Sequence, residues 1–202
     1  MLTTLEFETK RKIFHISSAI IPIIYIFMPK LWMVMILTLV AFGTSAIDTT
    51  RHYHPKIQAL VDKFLLQFMR EREKNGSFVI SGASYMMSGF FLTTLLFPKG
   101  VAIASMFVLI VSDAAAAIVG TRVGKPLENG KSIAGSAAFF MSAILISTLS
   151  YSFAHYKTNF LIIILASLIT TAVEYYTSFI KIDDNLTIPL AFASSIILLG
   201  LF

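Results

Sequence analysis

The chain has 202 residues, 56% of them hydrophobic and 13% charged, with a mean hydropathy of +0.80; a soluble domain carries roughly twice that charged fraction. So apolar a chain cannot cover itself with polar surface, and lipid is its expected solvent. The absence of cysteine excludes disulfides, thiolate nucleophiles and cysteine metal sites. The net charge of +5, carried in loops between apolar runs, points to membrane orientation and phosphate contacts rather than nucleic acid.

Lys10, Arg11 and Lys12 precede an apolar run, as at the start of a signal peptide. No small-x-small cleavage site follows, because the run ends Phe27-Met28-Pro29-Lys30, so the segment is expected to stay in the protein. A helical span needs about 20 mostly apolar residues. Ile13–Met28, Leu31–Ile47, Phe78–Phe97, Val101–Val119, Ile133–Ala154, Phe160–Phe179 and Leu186–Phe202 meet or approach that length. The expected fold is an all-α integral membrane bundle of about seven transmembrane helices, a single domain over 1–202. The connection 48–77 is the longest. Within it Ile57, Leu60, Val61, Phe64, Leu65, Phe68 and Met69 recur at steps of three and four, which predicts an amphipathic helix over 57–70. Such a helix lies in the membrane interface or packs on its own bundle. No convincing internal repeat is visible.

Seven spans place the N-terminus and the even-numbered loops on one side. That side holds 13 Lys and Arg, the other only Lys30, Lys99 and Lys157. The positive-inside rule makes the basic side cytoplasmic and puts the C-terminus on the far side of the cell membrane. The carboxylates divide in the same way: Glu6, Glu8, Asp48, Asp62, Glu71, Glu73, Asp113, Glu128, Glu174, Asp183 and Asp184 all fall in or near the basic half. Orientation explains the basic bias but not the acidic one. Carboxylates and cations on one face are what a polyphosphate with a divalent metal requires.

Asp113 lies inside the fourth apolar run, about 10 Å from an expected helix end at Gly120. An ionised group there costs about 2.5–3.5 kcal/mol, so it is either functional or hydrogen-bonded within the bundle. The stretch Gly120-Thr121-Arg122-Val123-Gly124-Lys125, running on to Lys131-Ser132, is rich in glycine and cations and enters a helix. Backbone N–H groups at such a place bind anions, although an ordinary cytoplasmic turn has the same composition. It is not a P-loop, since Lys125 stands where that motif needs glycine. Asp183-Asp184-Asn185, with Glu174 about two turns earlier, offers a metal site or a helix cap. Arg11 and His15 share a helix face, and Asp48 and Arg51 are spaced to pair. His52, His54 and His155 lack metal-ligand spacing, and His155 reads as an exposed loop residue.

Taken together, Arg11-Lys12-x-x-His15, Asp113-Ala-Ala-Ala-Ala-Ile-Val-Gly120-x-x-x-Gly124-Lys125, Lys131-Ser132-x-x-Gly135-Ser136 and Asp183-Asp184-Asn185-Leu186-Thr187-x-Pro189 resemble the dolichol kinase, phytol kinase and CTP-dependent diacylglycerol kinase family. The resemblance implies transfer of the γ-phosphoryl group of CTP to the hydroxyl of a membrane lipid alcohol, with Mg²⁺. It implies Asp113, Asp183, Asp184 and Asn185 as metal ligands. Gly120, Arg122, Gly124, Lys125, Lys131, Ser132, Gly135 and Ser136, with Arg11, Lys12 and His15, would bind the nucleotide. Asp113, Lys131 and Glu174 would be catalytic, with Asp113 or Glu174 accepting the hydroxyl proton. The central block is also similar to CTP:phosphatidate cytidylyltransferases, whose His-Gly-Gly signature is missing here; Ala134 replaces the kinase family's usual glutamate. A small proton- or cation-coupled transporter using Asp113 and Glu174 is the non-enzymatic alternative.

Overall fold

A computed structural model describes residues 13, 15–65, 80–127, 129–180 and 182–201. The regular elements among these residues are all helices: α1 (Ile20–Phe27), α2 (Lys30–Arg51), α3 (Pro55–Leu65), α4 (Gly82–Leu96), α5 (Lys99–Val123), α6 (Ile133–Phe153), α7 (Phe160–Ile180) and α8 (Asp184–Leu199). Four of them, α2, α5, α6 and the Phe160–Thr177 part of α7, are long and apolar enough to cross a membrane. α1, α4 and α8 coincide with the other three apolar runs but are shorter. The 16 residues of α8 reach about 24 Å, against a hydrocarbon core of about 30 Å.

α5 is the central helix. Val101, Ala102, Ile103, Ala104, Met106, Val108 and Leu109 are completely buried; a helix apolar on every side belongs inside a bundle. α2 instead keeps Leu31, Trp32, Met35, Leu39 and Phe42 exposed, an outward face suited to lipid. Near its middle α5 widens into one π-helical turn, Val108–Ser112, immediately before Asp113. Such turns insert one extra residue and re-aim the side chains that follow.

Two boundaries differ from the sequence expectation. α5 does not end at Gly120 but continues to Val123, so the connecting loop is the shorter stretch from Gly124 to Ser132 and Asp113 lies about 15 Å from the helix end. Gly120 is retained inside a helix because α6 packs against it. The amphipathic helix begins at Pro55, whose fixed φ suits a first turn. It buries Val61 and exposes Leu60; its expected continuation to 70 lies outside the described residues.

One end of the bundle carries a local symmetry. The α1–α2 corner reads Met28-Pro29-Lys30 and the α4–α5 corner Phe97-Pro98-Lys99. The residue before each proline is extended (Met28 φ −100°, ψ 140°; Phe97 φ −113°, ψ 160°), as proline demands. The prolines match closely at −59°, 146° and −57°, 148°. Lys30 Nζ donates to the Phe97 carbonyl at 2.8 Å, and Lys99 Nζ donates to the Ile26 carbonyl at 2.8 Å while lying 5.6 Å from the Tyr25 ring centre. Each lysine thus satisfies a carbonyl left free at the end of the other corner's helix.

At the opposite end a buried carboxylate joins α2 to α4. Asp48 Oδ2 accepts hydrogen bonds from Ser81 N (2.8 Å), Ser81 Oγ (2.7 Å) and Ser84 Oγ (2.6 Å), and Asp48 Oδ1 lies 3.3 Å from Arg51 Nη2. Deeper between α4 and α8, Pro189 has no N–H to donate to the Asn185 carbonyl. Gly89 packs directly against that carbonyl; a Cβ there would stand 2.5 Å from it.

Candidate active site

The charged end is built around Lys131, on the loop just before α6. Its ammonium lies 2.6 Å from Glu174 Oε1, 3.2 Å from Asp184 Oδ2 and 3.2 Å from Thr177 Oγ1, and it also donates to the Glu174 carbonyl. The loop delivers it through a tight turn. Leu127 N donates to the Lys131 carbonyl (2.8 Å) and Gly130 N to the Leu127 carbonyl (2.8 Å), with Gly130 at φ +77°, a left-handed conformation suited to glycine. Asn129 locks the turn from both sides: its Oδ1 accepts from Lys131 N (3.1 Å), and its Nδ2 donates to the Tyr175 carbonyl on α7 (3.2 Å). Three segments, the loop, the end of α7 and the start of α8, therefore meet at one ammonium group.

The electrostatics agree with that geometry. Burial works to lower the Lys131 pKa, but the carboxylates of Asp184 and Glu174 outweigh it, and the net displacement is upward. Glu174 also feels the negative charges of Asp184 and Asp113, so all three carboxylates belong to one electrostatic group. Asp113 is one-third exposed, and its Oδ2 lies 3.9 Å from His15 Nε2. Among the described residues, His15 Nε2, Ser112 Oγ, Ser136 Oγ and Glu174 Oε2 are buried without a hydrogen-bond partner. Buried polar atoms are ordinarily paired, and orphans on two of the titratable groups themselves, His15 and Glu174, mark a place for a ligand.

Several residues singled out in the sequence have immediate structural partners. Ser132 caps α6, accepting from Gly135 N at 3.1 Å. A Cβ on Gly124 would overlap the Ser132 hydroxyl, one on Gly120 would stand 3.0 Å from it, and one on Gly135 would stand 2.9 Å from the Ala116 carbonyl. Close packing of α5 on α6 accounts for these three glycines without a phosphate. Asp183 caps α8: its Oδ1 accepts from Asn185 N (3.1 Å) and Asn185 Nδ2 (2.7 Å). Arg122, in the last turn of α5, and Lys125, on the loop that leads to Lys131, are exposed; Arg11 and Lys12 lie outside the described residues. Sequence reasoning missed Asn129 and Thr177, which chemistry alone does not mark. It also missed Ser81 and Ser84, which a helix-cap search before α4 would have found.

Among the described residues no three His, Cys, Asp or Glu side chains converge as around a metal ion. Mg²⁺, however, takes as few as one or two carboxylates and completes its shell with phosphate and water oxygens. Asp113 and Asp184, each about one-third exposed (34% and 31%), have the chemistry for that. Asp183 and Asn185, occupied with each other in the cap, fit it poorly.

No family model and no solved structure matches the chain. Over 100 residues it is 30% identical to CTP-dependent diacylglycerol kinase 1 of Schizosaccharomyces pombe, covering 48% of this chain and 44% of that protein, a distant link to a lipid kinase. Over 190 residues it is 47% identical to the uncharacterized protein RP860 of Rickettsia prowazekii, covering 94% of this chain and 93% of that one. The chain belongs to the same family as that rickettsial protein.

Proposed function

We propose that the chain is a membrane-embedded lipid kinase that transfers the γ-phosphoryl group of CTP to the hydroxyl of a lipid alcohol: a polyprenol, phytol or diacylglycerol. The observation that carries the reading is the convergence of Lys131, Glu174, Asp184, Asp113 and His15 at one end of an apolar bundle, with buried oxygens and a nitrogen left unpaired. The distant similarity to a CTP-dependent diacylglycerol kinase supports the kinase reading. The seven apolar helices would span the cell membrane with this end cytoplasmic, as the distribution of Lys and Arg favours.

In this reading the exposed Arg122 and Lys125 neutralise the triphosphate from the water side. Lys131, already committed to two carboxylates, acts as a positioning residue that holds Glu174 and Asp184 in place. Asp113 and Asp184 would hold Mg²⁺, which would supply charge neutralisation for the triphosphate. Glu174 sits in the apolar part of α7, where a lipid hydroxyl arrives from the membrane, and its free Oε2 accepts the hydroxyl proton. The hydroxyl oxygen bonds to the γ-phosphorus, the bond to the β–γ bridging oxygen breaks, and CDP leaves. A label on the γ-phosphate of CTP tests this. Label in the lipid supports the kinase, label in pyrophosphate assigns a cytidylyltransferase, and no turnover with proton-coupled flux in vesicles assigns a transporter.

A further inference from the structure

The end of the bundle remote from the charged group holds a cavity of about 390 Å³ between the end of α6 and the start of α7, walled by Thr148, Tyr151, His155, Tyr156, Lys157 and Phe160 among others. It is large enough for a small ligand or a headgroup. None of its lining residues is acidic. Three features there favour an anion. Lys157 is exposed with no hydrogen bond or ion pair among the described residues, whereas Lys30 and Lys99 at the same end are engaged with carbonyls. The positive end of α7 opens onto the cavity at Phe160. The Tyr151 side chain, only 4% exposed, forms part of the wall, and its hydroxyl is buried without a partner.

The loop is shaped to keep this space. His155 holds φ 51°, a left-handed conformation where glycine is usual, and the Tyr156 N–H returns to the Tyr151 carbonyl at 3.1 Å. Tyr156 then seats against Gly100 of α5, where a Cβ would stand 2.5 Å from the tyrosine Cβ. Beside the cavity, one position along α6 from Thr148 and Ser152, runs an exposed apolar ridge of Leu145, Leu149 and Phe153. A basic, acid-free hollow that opens beside an apolar ridge suits a molecule with a charged head and a hydrocarbon tail. We infer that this cavity binds the phosphate of an anionic membrane lipid, with the acyl chain lying along the α6 ridge. The site is separate from the charged end, and binding there does not depend on phosphoryl transfer.

Native mass spectrometry of the purified full chain tests the inference with three probes: phosphatidylglycerol, phosphatidylcholine with the same acyl chains, and inorganic phosphate. Phosphatidylglycerol should be retained about tenfold more tightly than phosphatidylcholine. Lys157→Gln, on an exposed loop, should erase that preference; Lys125→Gln at the charged end should leave it intact. Tyr151→Phe, which removes only a hydroxyl, should weaken retention about threefold. Equal retention of the two lipids, or a preference unchanged by Lys157→Gln, would overturn the site. Displacement of the lipid by inorganic phosphate at equal concentration would overturn the lipid assignment in favour of a free anion.

Discussion

The two ends of the bundle use lysine in opposite ways. At the proline corners, Lys30 and Lys99 each meet a neutral carbonyl that a helix end would otherwise leave free, and the exchange ties two hairpins together. At the charged end Lys131 meets two carboxylates, while Glu174 Oε2 and His15 Nε2 stay without hydrogen-bond partners. The first arrangement is explained by fold stability alone. The second gathers like charges that repel, a cost to folding, which is how residues reserved for a substrate behave.

The largest effect should come from breaking the lysine clamp. Lys131→Met leaves Glu174 buried and Asp184 half-buried without their cation and should cost about 3 kcal/mol, read as a fall in the thermal midpoint in detergent. The double variant Lys131→Met/Glu174→Gln should recover much of that loss, because the more deeply buried of the two unpaired carboxylates is gone; a double variant no more stable than the single would break the contrast drawn here. Gly89→Ala forces a methyl group against the Asn185 carbonyl and should cost about 1–3 kcal/mol. Lys30→Met or Lys99→Met should each cost about 1–2 kcal/mol, with little change in catalysis per folded molecule. The smallest effect is that of pH. Because the Lys131 pKa is raised, the clamp contributes fully below the ordinary lysine value of about 10.4 and is lost only as pH rises through the higher folded value. A melting series between pH 6 and 9 should therefore show no alkaline loss traceable to Lys131, checked against Lys131→Arg.

The apolar runs made the helices legible, since seven stretches of high hydropathy coincide with α1, α2 and α4 to α8. Chain ends of helices were less so: Gly120 reads as a terminator, yet it lies within α5 because Ser132 and Gly135 pack against it, a tertiary cause with no local signature. The paired corners were hidden because only Pro and Lys repeat between them, and the symmetry lives in backbone angles and a reciprocal exchange. For the site, Asp113 stood out because charge is costly inside an apolar run, Lys131 through its glycine- and cation-rich loop, and Glu174 and Asp184 through the carboxylates near the last connection. Which of them touch was not legible, because Lys131 and Glu174 are 43 residues apart. The Asp183-Asp184-Asn185 run was ambiguous for a physical reason: one aspartate caps α8 while its neighbour turns to Lys131.

The central claim is that chemistry belongs to the end where lysine meets carboxylates. Its most direct test compares initial rates of label transfer from γ-labelled CTP to lipid alcohols by folded Glu174→Gln and folded Lys99→Met, alongside the unaltered chain. Glu174→Gln should lose about a hundredfold or more in rate, and Lys99→Met should stay within about twofold once normalised to folded protein. Full activity in Glu174→Gln, or a collapse confined to Lys99→Met, would contradict it.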